Sequence, residues 1–153
     1  MIQNARLFAD GAHCAAIQLA LNVLSANIET LRVCEENGFA CLNRGPLAMG
    51  LLTGKFNSDS SFPANDVRHS WEMKSGVQAE RLRNLDAIQD ILTSAGRSLA
   101  QGAICWLWAV SARTIPIPGF KNSAQIEDNL GALAFDPLTS DQVRRIDQLL
   151  NRE

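Results

Sequence analysis

Two segments of the sequence combine glycine and proline with a nearby cation, a combination suited to binding an anion. One is 44–55, R-G-P-L-A-M-G-L-L-T-G-K, and the other is 114–130, T-I-P-I-P-G-F-K-N-S-A-Q-I-E-D-N-L. In both, Gly and Pro bring backbone N–H groups close to the start of a predicted helix, where the helix dipole favours negative charge. Lys55 and Lys121 can neutralise that charge. The chemistry indicated is the binding of a phosphate group.

Polar residues at the start of the second predicted helix share one face. Asn122 and Gln125 have the spacing of a capping box. Gln125, Asp128 and Asn129 follow at i, i+3 and i+4, so they are neighbours on the helix surface. With Lys121, these side chains could bind an adenosine and its ribose phosphate. The alternative is a capped surface helix with a solvated polar face, which the segment favours when it is taken alone.

The elements that must position these segments are short apolar strands alternating with helices. Such an alternation predicts parallel strands joined by right-handed crossovers, in the order β-α-β-α-α-β-α-α. Ligands of such sheets bind at the carboxyl ends of the strands, where both segments and Gln18 fall. A polar stretch at 55–76 is long for a compact domain, which predicts a mobile or functional loop. The predicted strands are 14–19, 39–42 and 113–117, and the predicted helices are 1–9, 28–37 capped by Asn27, 47–52, 77–95, 98–110, 122–133 and 139–150.

Composition bounds the possible partners. At 153 residues, 46% hydrophobic and 20% charged, the chain is predicted to form a single globular domain. A net charge of −2 argues against nucleic acid or an anionic membrane as the main partner. The four cysteines lack metal-site spacing and lie in apolar runs, which predicts buried free thiols, no metal and a reducing cytoplasm. We also find no signal peptide and no apolar run that could span a bilayer.

Together the segments resemble the aldo-keto reductases, a family of NADP(H)-dependent (β/α)8-barrel oxidoreductases that reduce aldehydes and ketones. The resemblance rests on G-P-L-A-M-G-L-L-T-G-K at 45–55 and I-P-G-F-K-N-S-A-Q-I-E-D-N at 117–129. The stretch A-I-Q-L-A-L-N at 16–22 is similar to the family's strand that carries a nicotinamide-binding glutamine. The resemblance implies that the whole chain, 1–153, is a partial TIM barrel, a C-terminal half-barrel whose three strands are the sixth to eighth.

The resemblance also implies a set of residues that contact NADP(H). Gln18 would hydrogen-bond the nicotinamide carboxamide, and Lys55 would hold the pyrophosphate with the backbone of 45–50. Lys121 and Gln125 would bind the 2′-phosphate. The full set is Gln18, Arg44, Gly45, Pro46, Leu47, Ala48, Gly50, Lys55, Arg68, Gly119, Lys121, Gln125, Asp128 and Asn129.

The resemblance implies roles for three more residues, and two positions differ from the family's usual pattern. Gly119 would let the backbone approach the cofactor, and Asp128 and Asn129 would face the adenine. Arg44 stands where the family usually has an aromatic residue stacked on the nicotinamide, although an Arg plane can also stack. Lys121 replaces the commoner Arg, which keeps the charge but loses the bidentate fork.

The family's catalytic group does not occur here. Aldo-keto reductases use a tyrosine as general acid, and these 153 residues contain none, so no catalytic residue is predicted. Our first hypothesis is a truncated, NADP(H)-binding portion of a reductase that is inactive alone. The alternatives are a self-associating, homodimeric half-barrel that binds NADP(H) without catalysis, or an enzyme that either uses another acid in place of the tyrosine or is completed by a separate N-terminal half.

Overall fold

A computed structural model describes residues 2–11, 13–26 and 28–152 of the chain. The predicted helix cap at Asn27 lies outside these residues. Six α-helices and three β-strands are present in the described part, and they occur in the predicted order after the first helix. Their bounds are α1 Ile2–Ala9, β1 Ala16–Ala20, α2 Ile28–Asn37, β2 Ala40–Arg44, α3 Gly76–Leu92, α4 Leu99–Val110, β3 Thr114–Ile117, α5 Ser123–Gly131 and α6 Ser140–Leu149.

The three strands form one parallel sheet in the order β1-β2-β3. Leu42 pairs with Gln18 on one side and with Ile115 on the other, and Arg44 pairs with Ile117. The carboxyl ends of β2 and β3 are therefore adjacent, which brings the two predicted anion-binding segments to the same edge of the sheet. The predicted α/β fold with three parallel strands is confirmed.

Helices cover one face of this sheet. Leu19, Cys41, Asn43 and Thr114 alternate with half-buried or exposed neighbours along their strands, and all four are buried. Helix α2 packs on β1 and β2, and α4 packs on β3. The very apolar α4 forms the centre of the core, because seven of its residues are buried. The helix-covered face thus fixes the register of the sheet.

The opposite face of the sheet is open. Gln18, Arg44, Ile115 and Ile117 are exposed there, with Ile115 47% and Ile117 44% accessible. Parallel sheets are normally covered on both faces, because the apolar side chains of both faces must be buried. An open sheet face that carries apolar side chains is expected when a sheet is part of a closed barrel, because the remaining strands of the barrel would enclose that face.

Helix ends follow the predicted signals closely. Ser98 caps α4 in a reciprocal capping box with Gln101, as predicted, and Thr139 and Gln142 form a second one at α6. Helix α3 ends at Leu92, earlier than the predicted 95, and a 3₁₀ turn over Ser94–Gly96 follows, in which Ala95 has a left-handed φ of 62°. The predicted helix at 47–52 is a distorted 3₁₀ turn over Ala48–Thr53.

The cysteines are free thiols. Cys34, Cys41 and Cys105 are buried and Cys14 is half-buried, in agreement with the predicted apolar surroundings. Burial raises the pKa of the Cys34 and Cys105 thiols, and it raises the pKa of Cys41 to about 12. Within the described residues, no helix is both long and apolar enough to cross a membrane. A cytoplasmic location stays a prediction.

Candidate functional site

A cavity of about 480 Å³ opens at the carboxyl edge of the sheet. Its walls come from the loop after β2, the polar loop at 55–76, the first turn of α4, and the segment from the end of β3 into α5. Its lining residues are Gly45, Pro46, Leu47, Met49, Gly50, Thr53, Lys55, Arg68, Ala100, Gly119, Phe120, Lys121, Gln125, Asp128 and Asn129.

The loop after β2 is a tightly folded, strained segment. Ala48 and Met49 have left-handed φ values of 48° and 54°, and each such non-glycine residue costs about 1 kcal/mol or more. The Ala48 N–H donates to the Gly45 carbonyl at 3.0 Å, and the Gly50 N–H donates to the Leu47 carbonyl at 2.8 Å. These two N–H groups are committed inside the loop, so they are not the donors that a bound phosphate would use.

Asn22 anchors this loop from the neighbouring strand end. Its Nδ2 donates to the Gly45 carbonyl at 3.0 Å, and its Oδ1 accepts from the Leu24 N–H at 3.0 Å. The side chain is buried, with 8% exposure. Asn22 therefore holds Gly45 in place from behind, rather than contacting a ligand in the cavity.

Arg68 is the most constrained cation of the cavity. Its Nε and Nη2 bind both carboxylate oxygens of Asp66 at 2.8 and 2.7 Å, and Nη1 donates to the Met49 carbonyl at 3.0 Å. The guanidinium also stacks over the Phe56 and Phe62 rings at 4.9 and 4.7 Å. Because the bidentate pair and the rings fix the guanidinium plane, its charge is held at the cavity wall with little side-chain freedom.

Aromatic packing orders the polar loop that carries Arg68. Phe62 makes edge-on contacts with Phe56, at a centroid distance of 5.1 Å, and with Trp71, at 5.7 Å. His69 Nδ1 lies 3.0 Å from the Phe62 carbonyl oxygen and its side chain is exposed. The loop predicted to be mobile or functional is thus folded over an aromatic cluster and contributes directly to the cavity.

The Asp66–Arg68 pair predicts an acid-sensitive stability. The hydrogen bonds and charge of Arg68, with a smaller contribution from Lys121, hold the pKa of Asp66 below its usual range. A lowered native pKa stabilises the fold fully above the unfolded pKa of about 4, and this stabilisation is lost as the pH falls through the native pKa. Asp66→Asn should therefore lower the thermal unfolding midpoint at pH 7, and the difference from the wild type should shrink towards pH 2.

Asp59 offers the matched control for this prediction. It pairs with Lys74 at 3.0 Å, but both side chains are more than 70% exposed. Exposed pairs contribute little, because water screens them. Asp59→Asn should leave the midpoint almost unchanged, and equal losses in the two variants would contradict a special role for the Asp66 carboxylate.

Helix α5 presents its first turn to the cavity. The Asn122 side chain caps the helix by accepting from the Gln125 N–H at 3.0 Å, as predicted. The Gln125 Oε1 accepts from the Lys121 N–H at 2.7 Å, one residue ahead of the expected capping-box donor. This bond fixes the backbone that carries Lys121, whose side chain remains exposed beside the cavity.

Gln101 joins α5 to α4. Its Nε2 donates to both the backbone carbonyl and the Oδ1 of Asp128, each at 3.1 Å, while its Oε1 accepts from the Ser98 N–H at 2.9 Å. Gly131 packs against the same amide, since a Cβ there would lie 2.5 Å from Gln101 Nε2. One side chain thus closes the α4 cap and positions the Asp128 face of α5.

The cavity collects all but three of the predicted site residues. Gln18 lies in the middle of β1 and Arg44 at the end of β2, and both are exposed on the open face of the sheet. Ala48 is a buried residue of the loop and does not line the cavity. The structure does not bring these three into the cavity wall, so the nicotinamide contacts expected of Gln18 and Arg44 stay predictions.

Sequence reasoning missed four lining residues, Met49, Thr53, Ala100 and Phe120. Phe120 is 59% exposed, and its place between the predicted residues Gly119 and Lys121 was the signal available in the sequence. Ala100 comes from α4, and no local pattern marks an alanine as part of a site. Among the described residues, no histidine or cysteine lines the cavity. The arrangement offers Lys55, Arg68 and Lys121 to an anionic ligand, without an evident acid–base pair.

Known proteins are similar to the chain in sequence. The chain is 32% identical over 136 residues to a chloroplastic pyridoxal reductase of Arabidopsis thaliana, and this match covers 86% of the chain and 35% of the relative. It is 31% identical over 128 residues to an NADP(+) aldo-keto reductase of Schizosaccharomyces pombe, covering 78% and 37% respectively. The chain therefore spans little more than a third of these relatives.

A solved structure agrees with the fold. The glycerol dehydrogenase of Gluconobacter oxydans superposes with a TM-score of 0.82 at 26% identity, covering 97% of this chain and 46% of that one. The sequence profile of the Aldo/keto reductase family matches residues 2–151. With nearly its whole length matched, the chain belongs to the aldo/keto reductase family, of whose barrel it forms a part.

Proposed function

We propose that the chain is the NADP(H)-binding portion of an aldo-keto reductase and that it does not reduce a carbonyl by itself. The observation that carries this proposal is the convergence of Lys55, Arg68 and Lys121 on one cavity at the carboxyl edge of the sheet. A dinucleotide with a 2′-phosphate has negative charge at two places, and separate cations on two loops suit such a ligand. The NADP(+) named for the Schizosaccharomyces pombe relative supports the choice of cofactor.

The residues present fit this group. The volume of about 480 Å³ lies within the usual range for ligand pockets. Lys121 and Gln125 would hold the 2′-phosphate, and Lys55 would hold the pyrophosphate. A Cβ at Gly119 would meet no atom within 4 Å, so the backbone there is open to close approach. Arg68, already bonded to Asp66 and Met49, would act mainly by fixing the loop and its positive potential.

The family's reaction draws a hydride from NADPH when the cofactor is bound. The residues in hand bind and orient, but the tyrosine that serves the family as general acid is not among them. We therefore expect the chain to take up the cofactor without turning over a generic aldehyde. Measurable NADPH oxidation by the purified chain, with contaminating reductases excluded, would contradict this part of the proposal.

The test of binding is a titration of the chain with NADPH, followed by tryptophan quenching. We expect saturable binding at sub-millimolar NADPH, and weaker binding of NADH, which lacks the 2′-phosphate. A dissociation constant of about 1 mM is weak but still measurable. If binding does not saturate up to that NADPH concentration, the cofactor-binding role is refuted.

Gln101 provides a more specific prediction about the cavity. Gln101→Ala should cost about 1–2 kcal/mol of unfolding free energy through the lost cap, and it should also weaken NADPH binding because Asp128 and α5 lose their anchor. Gln142→Ala is the matched control, since it removes the other capping box and a bond to Ser94 far from the cavity.

Urea unfolding and NADPH titration of the two variants separate these effects. We expect similar losses of stability in both, but a change in NADPH affinity only for Gln101→Ala. Equal NADPH affinity in both variants would show that Gln101 acts on α4 alone.

The open sheet face favours a second candidate function. Ile115 and Ile117 leave an apolar surface beside unpaired strand edges, and such surfaces associate. The chain would then bind NADP(H) as a self-associating, non-catalytic module, or pair with a separate N-terminal half that completes an enzyme. A second copy of the chain or an N-terminal half would cover this sheet face, which the remaining strands cover in a complete barrel.

Sizing chromatography tests this candidate. We expect the wild type to elute above its monomer mass of 16.7 kDa, and Ile115→Lys with Ile117→Lys to shift it towards the monomer. Val67→Lys is the control, because Val67 is 82% exposed but lies in the polar loop. A monomeric wild type that also fails to bind a separately expressed N-terminal half would rule out this candidate.

A further inference from the structure

A second cavity lies in the helical layer, away from the first. It has a volume of about 510 Å³ and lies between the start of α2, the end of α4 and helix α6. Among the described residues, it shares no lining residue with the first cavity. Three arginines line it, Arg32, Arg144 and Arg152, together with Trp106, Ser140 and Asp147 and an apolar floor of Ala26, Ile28, Ala109, Val110 and Val143.

Trp106 contributes a buried donor without an acceptor. The side chain is 1% exposed, and its Nε1 has no hydrogen-bond partner among the described residues. A buried donor left unsatisfied costs about 1–3 kcal/mol, and buried polar groups in native proteins are nearly always paired. The Trp106 side chain forms part of the cavity wall but its Nε1 is enclosed, so a ligand in the cavity would supply the missing acceptor through a small shift of the wall on binding.

Arg152 is a half-buried cation with incomplete pairing. Its Nη2 donates to the Val23 carbonyl, and its Nη1 lies 3.9 Å from Asp147 Oδ1 without making a hydrogen bond. Burial lowers the pKa of the guanidinium, against the attraction of Asp147. The charge is therefore poorly compensated within the protein, and a second anion nearby would stabilise it.

The other two arginines are available to a ligand. Arg32 is exposed and makes no hydrogen bond or ion pair with the described residues, and Arg144 pairs at 3.0 Å with Asp141, which does not line the cavity. Arg144 is 67% exposed, so water weakens this pair. Three guanidinium groups face one lining carboxylate, so the cavity carries an excess of positive charge and of donors.

We propose that this second cavity binds a small oxyanion of the phosphate class, either inorganic phosphate or a phosphomonoester. Guanidinium forks match the oxygen edges of a phosphate, and the indole N–H of Trp106 would donate to a further oxygen once the cavity wall has shifted. The apolar floor would receive the organic part of an ester. The site is separate from the proposed NADP(H) cavity and does not depend on it.

The indole N–H of Trp106 provides a direct readout. In ¹H–¹⁵N spectra of the full chain at constant ionic strength, the three tryptophans give three indole signals, and Trp106→Phe identifies the one that belongs to Trp106. Inorganic phosphate should shift this signal saturably. Arg32→Gln with Arg144→Gln should raise the phosphate concentration at half-saturation by about 10-fold or more, since each removes a charge-assisted contact. Both side chains are exposed, so the fold is expected to persist.

Controls separate this site from the first cavity. Phosphate could also enter the proposed NADP(H) site, so the titration is repeated with Lys121→Gln and with NADPH in excess. The Trp106 shift should be unchanged in both, and the Lys121→Gln result holds whether or not the chain binds NADPH. Glycerol 2-phosphate in place of phosphate tests the ester: tighter binding would identify an ester as the ligand, and equal or weaker binding would favour phosphate itself.

Three results would overturn the proposal. The first is a Trp106 signal that does not respond to phosphate or to glycerol 2-phosphate. The second is a response that persists unchanged in the double arginine variant. The third is a response that NADPH or Lys121→Gln abolishes, because it would place the bound phosphate in the first cavity.

Discussion

Lys121→Gln should weaken NADPH binding by about 10- to 100-fold and leave NADH binding almost unchanged. The proposed partner of Lys121 is the 2′-phosphate, which NADH lacks. Hydrogen bonds to charged groups contribute about 1.5–3 kcal/mol, and each 1.4 kcal/mol is a tenfold change in affinity. The Lys121 side chain is exposed beside the cavity, so glutamine should fit there without disturbing the fold.

Lys74→Gln is the control for this charge change. Lys74 is 73% exposed, pairs with Asp59, and does not line the first cavity. It should leave both affinities unchanged apart from a small general effect of charge. An equal loss of NADPH and NADH affinity in Lys121→Gln would mean that Lys121 contacts a part common to both cofactors, such as the pyrophosphate.

Gly102→Ala should destabilise the fold by about 2–4 kcal/mol, although alanine is the better helix former by about 1 kcal/mol. Gly102 lies in α4, where a Cβ would fall 2.2 Å from the Leu92 carbonyl oxygen and 2.7 Å from its carbon. These are backbone atoms at the end of α3, so no side chain can move aside. The two helices would have to separate within the core around Ile88 and Leu92, both fully buried.

Urea unfolding measures this loss. Gly119→Ala is the control, because a Cβ there would meet no atom within 4 Å and the backbone does not need a left-handed φ. Its unfolding midpoint should match that of the wild type. A Gly102→Ala protein as stable as Gly119→Ala would show that α3 and α4 can separate at little cost, and that the close approach is not needed.

Structural features that depend on neighbouring residues could be predicted from the sequence. The strands, the capping box at Ser98, the cap at Asn122 and the carboxyl-edge position of both anion-binding segments follow from periodicity and capping chemistry, and the structure reproduces them. The resemblance to a family then named most of the cavity wall in advance. The family motif could identify these residues because Gly and Pro at fixed spacing determine the loop conformation, and the Lys beside them determines its charge.

Contacts between distant segments could not be predicted in this way. Gln101 reaches Asp128, 27 residues further on, and nothing in either segment marks the other as its partner. The position of Arg68 does not follow from the sequence of its own loop, because it depends on aromatic rings and on Met49, 19 residues earlier. The left-handed φ values of Ala48 and Met49 were also unexpected, since neither residue favours that conformation.

The aromatic cluster of the polar loop connects the first cavity to an optical signal. Trp71 contacts the edge of Phe62, which stacks on Arg68 in the cavity wall, whereas Trp106 lies in the wall of the second cavity. Each cavity is therefore close to a different tryptophan. A ligand that shifts Arg68 should change the emission of Trp71, which is the one tryptophan left in a chain with Trp106→Phe and Trp108→Phe. The protein thus contains a different tryptophan reporter beside each cavity, Trp71 to be followed by emission and Trp106 by its indole N–H signal, so that occupancy of one cavity can be followed while the other is filled.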